Sequence, residues 1–242
     1  MRLALDPKEM ATYGTFGIHD DFHWYISPHL WTTTATDSGT VAVGDAAGGV
    51  VTLTASDGSV ADNDEVYMLS TKELFLFASD KPITFQVRLQ FTEENTDDAN
   101  ICVGLMNAVA ANSILDDGGG PAASYSGMVV FKVDGGTVWQ CESSLAGTQT
   151  TTVSSHTAGG SSYHTIRMEF KTVSSTVGEV AFFIDTAGGN NWKQMTDANN
   201  KLIKHNVTYT SATEMMAFVG VKNGGANNQT CLVDRIDCWQ KR

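Results

Sequence analysis

The stretch that decides the fold is M-M-A-F-V-G-V-K-N-G-G-A-N-N-Q-T-C-L-V-D-R-I-D-C-W, which runs from Met215 to Trp239. Its two runs, with apolar residues at both odd and even positions, flank a loop rich in Asn and Gly. This pattern is typical of a hairpin whose strands are buried on one face and partly covered on the other. A C-terminal strand that still carries Ile and Trp needs a distant partner, and the segment from Asp20 to Trp24 is the best match. We therefore predict a sheet that joins the first and last strands of one domain.

Alternating apolar and polar residues extend the β pattern through most of the chain. In I-T-F-Q-V-R-L-Q-F, Ile83 to Phe91, the apolar side chains share one face, which predicts one buried and one solvated face. Turn residues between apolar runs predict hairpins. These hairpins join residues 41–43 to 51–53, residues 127–133 to 138–141 across D-G-G, and residues 163–171 to 179–185.

Two runs, one of them within the stretch quoted above, share the order apolar-Val-Gly-apolar-x-Asn. They carry Gly104 and Gly220, which we expect at places where a facing backbone or a bulky ring needs room. Three segments lack β periodicity and are expected to connect strands. They are the long loop Ala108 to Ser126, the Thr/Ser/Gly linker Thr148 to Ser162, and the polar segment Asn190 to Asn206, with room for one helical turn.

About a dozen short strands and no convincing helical periodicity predict an all-β, two-sheet antiparallel sandwich with jelly-roll connections. The chain has 242 residues, and no composition shift marks a domain boundary. Sandwiches of this length form single domains. We predict an irregular N-terminal arm at 1–19, either disordered or clasping a neighbouring subunit, and one sandwich domain at 20–242.

The charge balance excludes some partners. Lys and Arg number 15 against 27 Asp and Glu, which gives a formal net charge of -12. Nucleic-acid binding and docking on an anionic membrane both need clustered cations, so neither is predicted. The sequence shows neither a secretory signal in residues 1–19 nor an apolar run of membrane-spanning length. These features favour a protein that is made in the cytoplasm and is used there or assembled into something larger.

Two groups of residues raise the question of a metal ion. His19, His23 and His29 lie in one short window, but Pro28 interrupts it and the spacing does not place three ligands on one strand face. The acidic turn from Asp57 to Glu65 offers oxygen ligands for calcium, without the Gly and closing Glu of an EF-hand loop. A solvated turn is the alternative, and no metal or cofactor is predicted.

The four cysteines lack metal-ligand spacing. Each lies in or beside a predicted strand, where a free thiol behaves as a small apolar side chain. We predict buried free thiols at Cys102, Cys141, Cys231 and Cys238.

The order of these segments resembles the concanavalin A-like, laminin-G-like sandwich. The resemblance covers about residues 20–240 and rests on the D-D-F opening, the alternating strand leading to V-G-L, and the D-G-G hairpin. It continues in Y-H-T-I-R-M-E-F, A-F-F-I-D, F-V-G-V-K-N and V-D-R-I-D. The resemblance implies the fold but no single function, because this fold includes lectins, glycanases, lyases and passive structural domains.

The Thr/Gly/Ala-rich segments, such as W-T-T-T-A-T-D-S-G-T-V-A-V-G, resemble capsid-associated proteins of tailed bacteriophages. This resemblance implies a non-enzymatic virion structural protein that decorates the outside of a phage head. Its expected partner is the major capsid protein, its expected location is the capsid surface, and it is expected to form a homo-oligomer. The loop from Ala108 to Ser126 would supply an adaptable contact surface.

Two alternatives compete with this role. A lectin-like module would stack sugars on exposed aromatic side chains, for which the candidates are Trp31, Trp139 and Trp192, with large core residues as the other interpretation. A glycoside hydrolase of the same fold needs two carboxyl groups close together on a strand face. Arg167-x-Glu169 and Asp234-x-x-Asp237 do not supply such a pair, and no nucleophile motif is present. No catalytic residue is therefore predicted.

Overall fold

A computed structural model of the protein describes residues 14–56, 58–209 and 213–242. Within these ranges the chain forms two antiparallel sheets, and the predicted all-β sandwich is confirmed. No helix long and apolar enough to cross a membrane occurs among the described residues. The seventeen strands are β1 (Thr15–Asp20), β2 (Trp31–Ala35), β3 (Thr40–Val43), β4 (Val51–Thr54), β5 (Glu65–Ser70), β6 (Phe75–Leu76), β7 (Ile83–Gln90), β8 (Ala99–Met106), β9 (Gly127–Lys132), β10 (Val138–Leu145), β11 (Thr148–Thr157), β12 (His164–Thr172), β13 (Val177–Asp185), β14 (Lys193–Gln194), β15 (Lys204–Thr208), β16 (Glu214–Asn223) and β17 (Thr230–Lys241).

The two sheets enclose one continuous apolar core. Sheet A has the order β14-β13-β12-β7-β17-β4-β3, with β1 beside β17 and β15 beside β13. Sheet B has the order β11-β10-β9-β8-β16-β5-β2, with β6 beside β16. Alternate residues of each strand point inward, and Phe85, Met168 and Phe182 of sheet A are fully buried in the core.

The first and last strands pair as predicted. β1 runs antiparallel to β17 from Thr15 opposite Lys241 to Asp20 opposite Ile236. The partner of β17 is therefore Thr15–Asp20, earlier than the expected Asp20 to Trp24. The Asp20 carboxylate accepts hydrogen bonds from the Phe22 backbone N–H and the Trp31 indole N–H, which turns the chain out of sheet A. Five residues of the predicted arm thus lie in β1, while residues 1–13 lie outside the described part of the chain.

The predicted hairpin between residues 215–223 and 231–239 is wrong. β16 lies in sheet B between β8 and β5, whereas β17 lies in sheet A beside β7, so the connection crosses from one sheet to the other. Both strands already have a partner on each side, which leaves neither edge free for the other strand. A strand has apolar residues at both odd and even positions when both of its faces are covered. Strands in two different sheets can be covered in this way, just as the two strands of a hairpin can.

The other three hairpins are confirmed as β3–β4, β9–β10 and β12–β13. The linker predicted at Thr148 to Ser162 is wrong, because β11 occupies most of it and pairs with β10 at the edge of sheet B. Its many threonines are β-branched and suit a pleated edge strand. The segment Asn190 to Asn206 contains β14 and the start of β15 and has no helical turn.

Gly104 and Gly220 occupy sites without room for a side chain, as predicted. A Cβ atom on Gly104 would lie 2.2 Å from the Met128 carbonyl oxygen, and the residue has φ +147°. A Cβ atom on Gly220 would lie 2.6 Å from the Tyr67 ring. Both glycines therefore let neighbouring groups approach the sheet closely.

The loop from Ala108 to Ser126 packs against the face of sheet B that points away from the core. Its residues Ile114 and Tyr125 are buried with Tyr67, Cys102 and Phe218 in a second apolar cluster. The loop thus covers part of the outward face of sheet B, and its role as a contact surface for a partner stays a prediction.

Candidate functional site

The outward face of sheet A is polar, yet its centre is shielded from solvent. Along β7 the polar side chains of Thr84 and Gln86 point away from the core and are buried, so the predicted solvated face of this strand is wrong at its centre. Arg167 on β12 and Asp237 on β17 are buried on the same side. Buried polar groups of this kind need partners. Gln86 donates to Asp237, and Arg167 pairs with Glu169.

Strand register aligns the side chains in a row across the sheet. Neighbouring strands lie about 4.8 Å apart, so a row through six strands is about 24 Å long. The row is Gln194, Phe183, Arg167, Gln86, Asp237 and His19. Six strands, from β1 near the start of the chain to β17 at its end, therefore form one continuous surface.

At one end of the row, Asp237 fixes the orientation of His19. The Nδ1 atom of His19 lies 2.5 Å from Asp237 Oδ1, and Arg235 Nε lies 2.6 Å from Asp237 Oδ2. The Gln86 amide donates a longer hydrogen bond, 3.4 Å, to the same carboxylate. Asp237 is buried while the His19 side chain is half exposed. This arrangement turns the other imidazole nitrogen away from Asp237.

At the middle of the row, the Arg167 guanidinium lies between two indole rings. Its central carbon is 4.9 Å from the Trp192 ring and 5.8 Å from the Trp239 ring. The Nε and Nη2 atoms lie 2.7 Å and 2.6 Å from Glu169 Oε1. Cation–π contact and ion pairing together hold both indoles and the guanidinium in place.

A groove of about 490 Å³ begins beside Arg167 and crosses β12, β13 and β15. Trp192 and Leu202 come from the segment before β15, and Leu202 is 53% exposed. The rest of the lining is mixed: Pro82, Ile83 and Thr84 from the β7 side, Glu169, Phe170 and Lys171 from β12, Glu179, Ala181 and Phe183 from β13, and Gln194 and Lys204. The groove thus combines apolar walls with charged and amide groups.

Glu179 sits between two lysines in this groove. Lys171 Nζ lies 2.7 Å from Glu179 Oε1, and Lys204 Nζ lies 2.8 Å from Glu179 Oε2. Burial alone would raise the pKa of the Glu179 carboxyl, but hydrogen bonds and charge attraction from the two lysines lower it below its usual value. Glu179 is therefore ionised at neutral pH.

The indole N–H groups of Trp192 and Trp239 are buried and have no hydrogen-bond acceptor within the described residues. A buried donor without an acceptor costs free energy, and such groups deserve an explanation. Both donors belong to the pair of rings around Arg167, next to the groove. Neither nitrogen atom is exposed to solvent, so both stay inside the contact between the rings and sheet A.

Of the three tryptophans predicted as sugar-stacking candidates, only Trp192 reaches this surface. Trp31 and Trp139 are buried in the core, where neither ring can meet a ligand. Trp239 was not singled out. The pair Arg167-x-Glu169 was considered only as a source of acids, whereas its two members bind each other. Asp234 pairs with Arg88, at a bulge in β17 where register with β7 shifts.

The residues that were considered as metal ligands do not come together in one site. His19 binds Asp237, and His23 Nε2 lies 3.5 Å from Asp21. Glu65 of the acidic turn is directed to Lys222, while Asp57 lies outside the described residues. Within the described ranges, no group of three or more His, Cys, Asp and Glu side chains is arranged to hold a metal ion.

The buried thiols are confirmed: all four cysteines are free and buried, and burial raises the pKa of each, that of Cys231 to about 12. They lie away from the groove lining. A thiolate nucleophile is therefore not part of this surface.

Sequence reasoning did not identify Lys171, Glu179 and Lys204 as a group. Their alternation with core residues marks each as outward-facing, for example Lys171 beside Phe170. What joins them is the pairing of β13 with both β12 and β15, which strand periodicity does not specify.

Comparison with known proteins supports the fold. No protein-family model and no curated protein sequence matches the chain. Among solved structures it is similar to an endo-β-1,4-glucuronan lyase from the fungus Trichoderma reesei, with TM-score 0.59 and 11% identity over 91% of this chain and 94% of that one. It is also similar to an endo-1,3-β-glucanase from Streptomyces sioyaensis, with TM-score 0.56 and 15% identity over 94% and 97% of the two chains. Peanut lectin gives TM-score 0.54 and 11% identity over 93% and 97%.

Identities this low show a shared concanavalin A-like jelly-roll fold and nothing more specific. The named proteins comprise a lectin and enzymes that act on glycans, and the resemblance to bacteriophage capsid proteins gains no support from them. The capsid partner, the virion location and the homo-oligomeric state stay predictions.

Proposed function

We propose that the protein binds carbohydrate in the groove on the outward face of sheet A. The observation that carries this proposal is Trp192, which is held against the Arg167 guanidinium and lines an open groove. Sugar rings have apolar C–H faces and polar hydroxyl edges. Sites that bind them combine aromatic surfaces with a few well-placed hydrogen-bonding groups.

The composition of the groove suits such a ligand. The exposed side chain of Leu202 and the half-buried ring of Trp192 offer apolar contact, while the amide of Gln194 in the groove lining offers a polar group to sugar hydroxyls. The volume of about 490 Å³ lies within the range of about 300–1,000 Å³ that is common for small-ligand sites. Such a groove accommodates a few sugar units of a longer chain.

The solved structures give independent support to this choice over a capsid role. Their names describe a lectin, a glucanase and a glucuronan lyase, and each shares this sandwich over more than nine-tenths of the chain. A carbohydrate is the ligand class named for the two enzymes. For this chain that ligand class remains our proposal, since it rests on the fold and the groove together.

We further propose binding without hydrolysis. Glycoside hydrolysis needs one carboxylic acid that stays protonated near neutral pH. In the groove, Glu169 is paired with Arg167, and the pKa of Glu179 is lowered by two lysines. Each of these carboxylates is bound to a cationic side chain, which is unlike the apolar setting of a glycosidase acid. The groove therefore suits a ligand that is held rather than hydrolysed.

A glycan array followed by calorimetry tests the proposal, with a matched pair of tryptophan variants. Trp192→Ala is expected to lower affinity for the bound glycan by roughly 10-fold or more, because the aromatic stacking surface is lost. Trp24 is 66% exposed and lies outside the groove, so Trp24→Ala should leave the affinity unchanged. An array without any bound glycan, or equal losses in both variants, would rule the proposal out.

A further inference from the structure

We infer that the groove selects glycans that carry negatively charged groups, which bind to the ammonium pair of Lys171 and Lys204. The inference rests on the proposed function, because it names the class of glycan for the same groove. It depends on three observations: the geometry of the two lysines around Glu179, the charge of the groove, and the charge of the rest of the molecule.

The geometry places two ammonium groups above one carboxylate. β13 carries Glu179 and runs between β12 and β15, which carry Lys171 and Lys204. Each lysine contacts a different oxygen of Glu179, and the lysine side chains are 60% and 58% exposed against 12% for Glu179. The ammonium groups therefore face the groove while the carboxylate lies beneath them. An ammonium has three donors, and Glu179 takes one from each lysine.

The groove is positive in a strongly negative molecule. Its lining holds three cationic side chains, Arg167, Lys171 and Lys204, and two carboxylates, Glu169 and Glu179, which leaves one net positive charge. The whole chain has a formal net charge of -12 and only 15 Lys and Arg residues. Arg88 of β7 and Arg235 of β17 lie on the same face, and each is paired with a carboxylate, Asp234 and Asp237 respectively.

This charge distribution makes specific binding distinguishable from general attraction. A net negative protein repels polyanions over most of its surface, so an anionic polymer gains attraction only where cations are concentrated. The two lysines share one internal carboxylate, and a carboxylate or sulfate on a sugar would complete the charge balance of the pair. Glu179 is thus both the support of the lysines and a competitor of the ligand's anion.

The experiment compares polymers that differ only in charge. Polyglucuronate, polygalacturonate and alginate are titrated into the full chain by calorimetry, each beside its carboxyl-reduced neutral form. Dextran sulfate beside dextran distinguishes sulfate from carboxylate as the anion. At least one anionic polymer is expected to bind roughly 10-fold more tightly than its neutral form, and added salt should reduce this preference.

Variants then locate the preference. Lys171→Gln with Lys204→Gln should remove the roughly 10-fold preference for the anionic over the neutral form. Lys72→Gln removes one positive charge from an exposed residue outside the groove lining, and should have little effect. Glu179→Gln should strengthen anionic binding by about threefold, because the internal competitor is gone. A purely structural role for Glu179 would not give a gain.

The outcomes separate the two proposals. Equal affinity for the charged and neutral forms, with binding still lost in Trp192→Ala, would overturn the anionic selectivity and leave carbohydrate binding intact. A preference that survives in the double lysine variant would also overturn it. Absence of binding to every polymer would overturn both proposals. Circular dichroism of each variant confirms that the fold is retained, as expected for substitutions at exposed lysines.

Discussion

The outward faces of the two sheets differ in how they are covered. On sheet B, the loop from Ala108 to Ser126 packs Ile114 and Tyr125 over Tyr67 and Phe218, which creates a second apolar cluster. On sheet A, the central side chains are polar and the face carries an open groove. The protein therefore closes one face with its own chain and carries an open groove on the other.

Charged residues on the two faces have correspondingly different surroundings. On sheet B, Lys222 is fully buried and donates to Asn112 Oδ1 at 2.8 Å and to the Ile114 carbonyl at 3.0 Å, with Glu65 and Asp116 as ion-pair partners. It fastens the covering loop to the sheet. On sheet A, Lys204 binds one carboxylate and remains largely in solvent. The ion pairs of Lys222 thus hold a loop over a sheet, whereas the ion pair of Lys204 lies at the solvent-exposed surface.

The largest effect is expected from the same substitution on both faces. Lys222→Met leaves Glu65 buried without its cation and should lower the free energy of unfolding by about 3–5 kcal/mol. Lys204→Met removes a solvent-exposed ion pair and should cost about 1 kcal/mol or less. Urea unfolding followed by tryptophan fluorescence measures both. Similar losses in the two variants would contradict the difference between the faces.

A second pair of substitutions compares apolar residues on the two faces. Ile114→Ala opens a cavity under the covering loop and should cost about 2–4 kcal/mol of unfolding free energy. Leu202→Ala removes an exposed side chain beside the groove and should change stability by about 0.5 kcal/mol or less. It should nevertheless weaken glycan binding. If Ile114→Ala proved as mild as Leu202→Ala, the loop would not seal sheet B.

The contact between β15 and sheet B should make the free energy of unfolding depend on pH in the acid range. His205 on β15 contacts Ser143 and Thr152 of sheet B, and burial lowers its pKa to about 4. An unfolded chain has a His pKa near 6.5, so the unfolded state binds more protons between these values. Stability should therefore fall as pH drops from about 6.5 to about 4, by up to about 3 kcal/mol from this residue.

Unfolding of His205→Gln across this pH range measures that contribution. The variant should be less stable at neutral pH and should lose less stability on acidification than the wild type. Parallel curves for the two proteins would show that His205 does not titrate in this way. Because Glu179 has a lowered pKa, the lysine pair in the groove should keep its carboxylate over most of the same range.

The parts of the fold that depend on neighbouring residues were predictable from the sequence. The hairpins β9–β10 and β12–β13 each join adjacent runs across a recognisable turn. Pairing of β1 with β17 followed from the need of an apolar C-terminal strand for a partner. The division of β16 and β17 between two sheets was not predictable, because a strand covered on both faces has the same pattern in either sheet.

The candidate site was much less accessible to sequence reasoning. Arg167, Glu179 and Lys204 meet only because three strands pair in a particular register, and register between distant strands depends on the packed core. Trp192 belongs to a segment without periodicity, so its position over Arg167 had no local signal. For β11 a signal was present, since repeated threonine favours strands, but composition suggested a linker.

The smallest expected effect is the absence of dye labelling at a buried thiol in the folded protein. Cys102 lies in the cluster under the covering loop, and burial raises its pKa well above the usual value. A thiol-reactive dye at pH about 8 should therefore label no cysteine in the folded protein and all four after unfolding. Ile114→Ala should allow slow labelling at Cys102, identified by mass spectrometry. Rapid labelling of native Cys102 would mean that the face of sheet B is open.

Hydrogen–deuterium exchange with a bound polysaccharide tests the central claim most directly. The polymer that binds most tightly in calorimetry is added, and amide protection is compared with and without it. We predict new protection in β12, β13 and the segment from Trp192 to Lys204, which surround the groove. Protection confined to the loop from Ala108 to Ser126 or to β8 and β9, with these segments unchanged, would contradict the assignment of the ligand to sheet A.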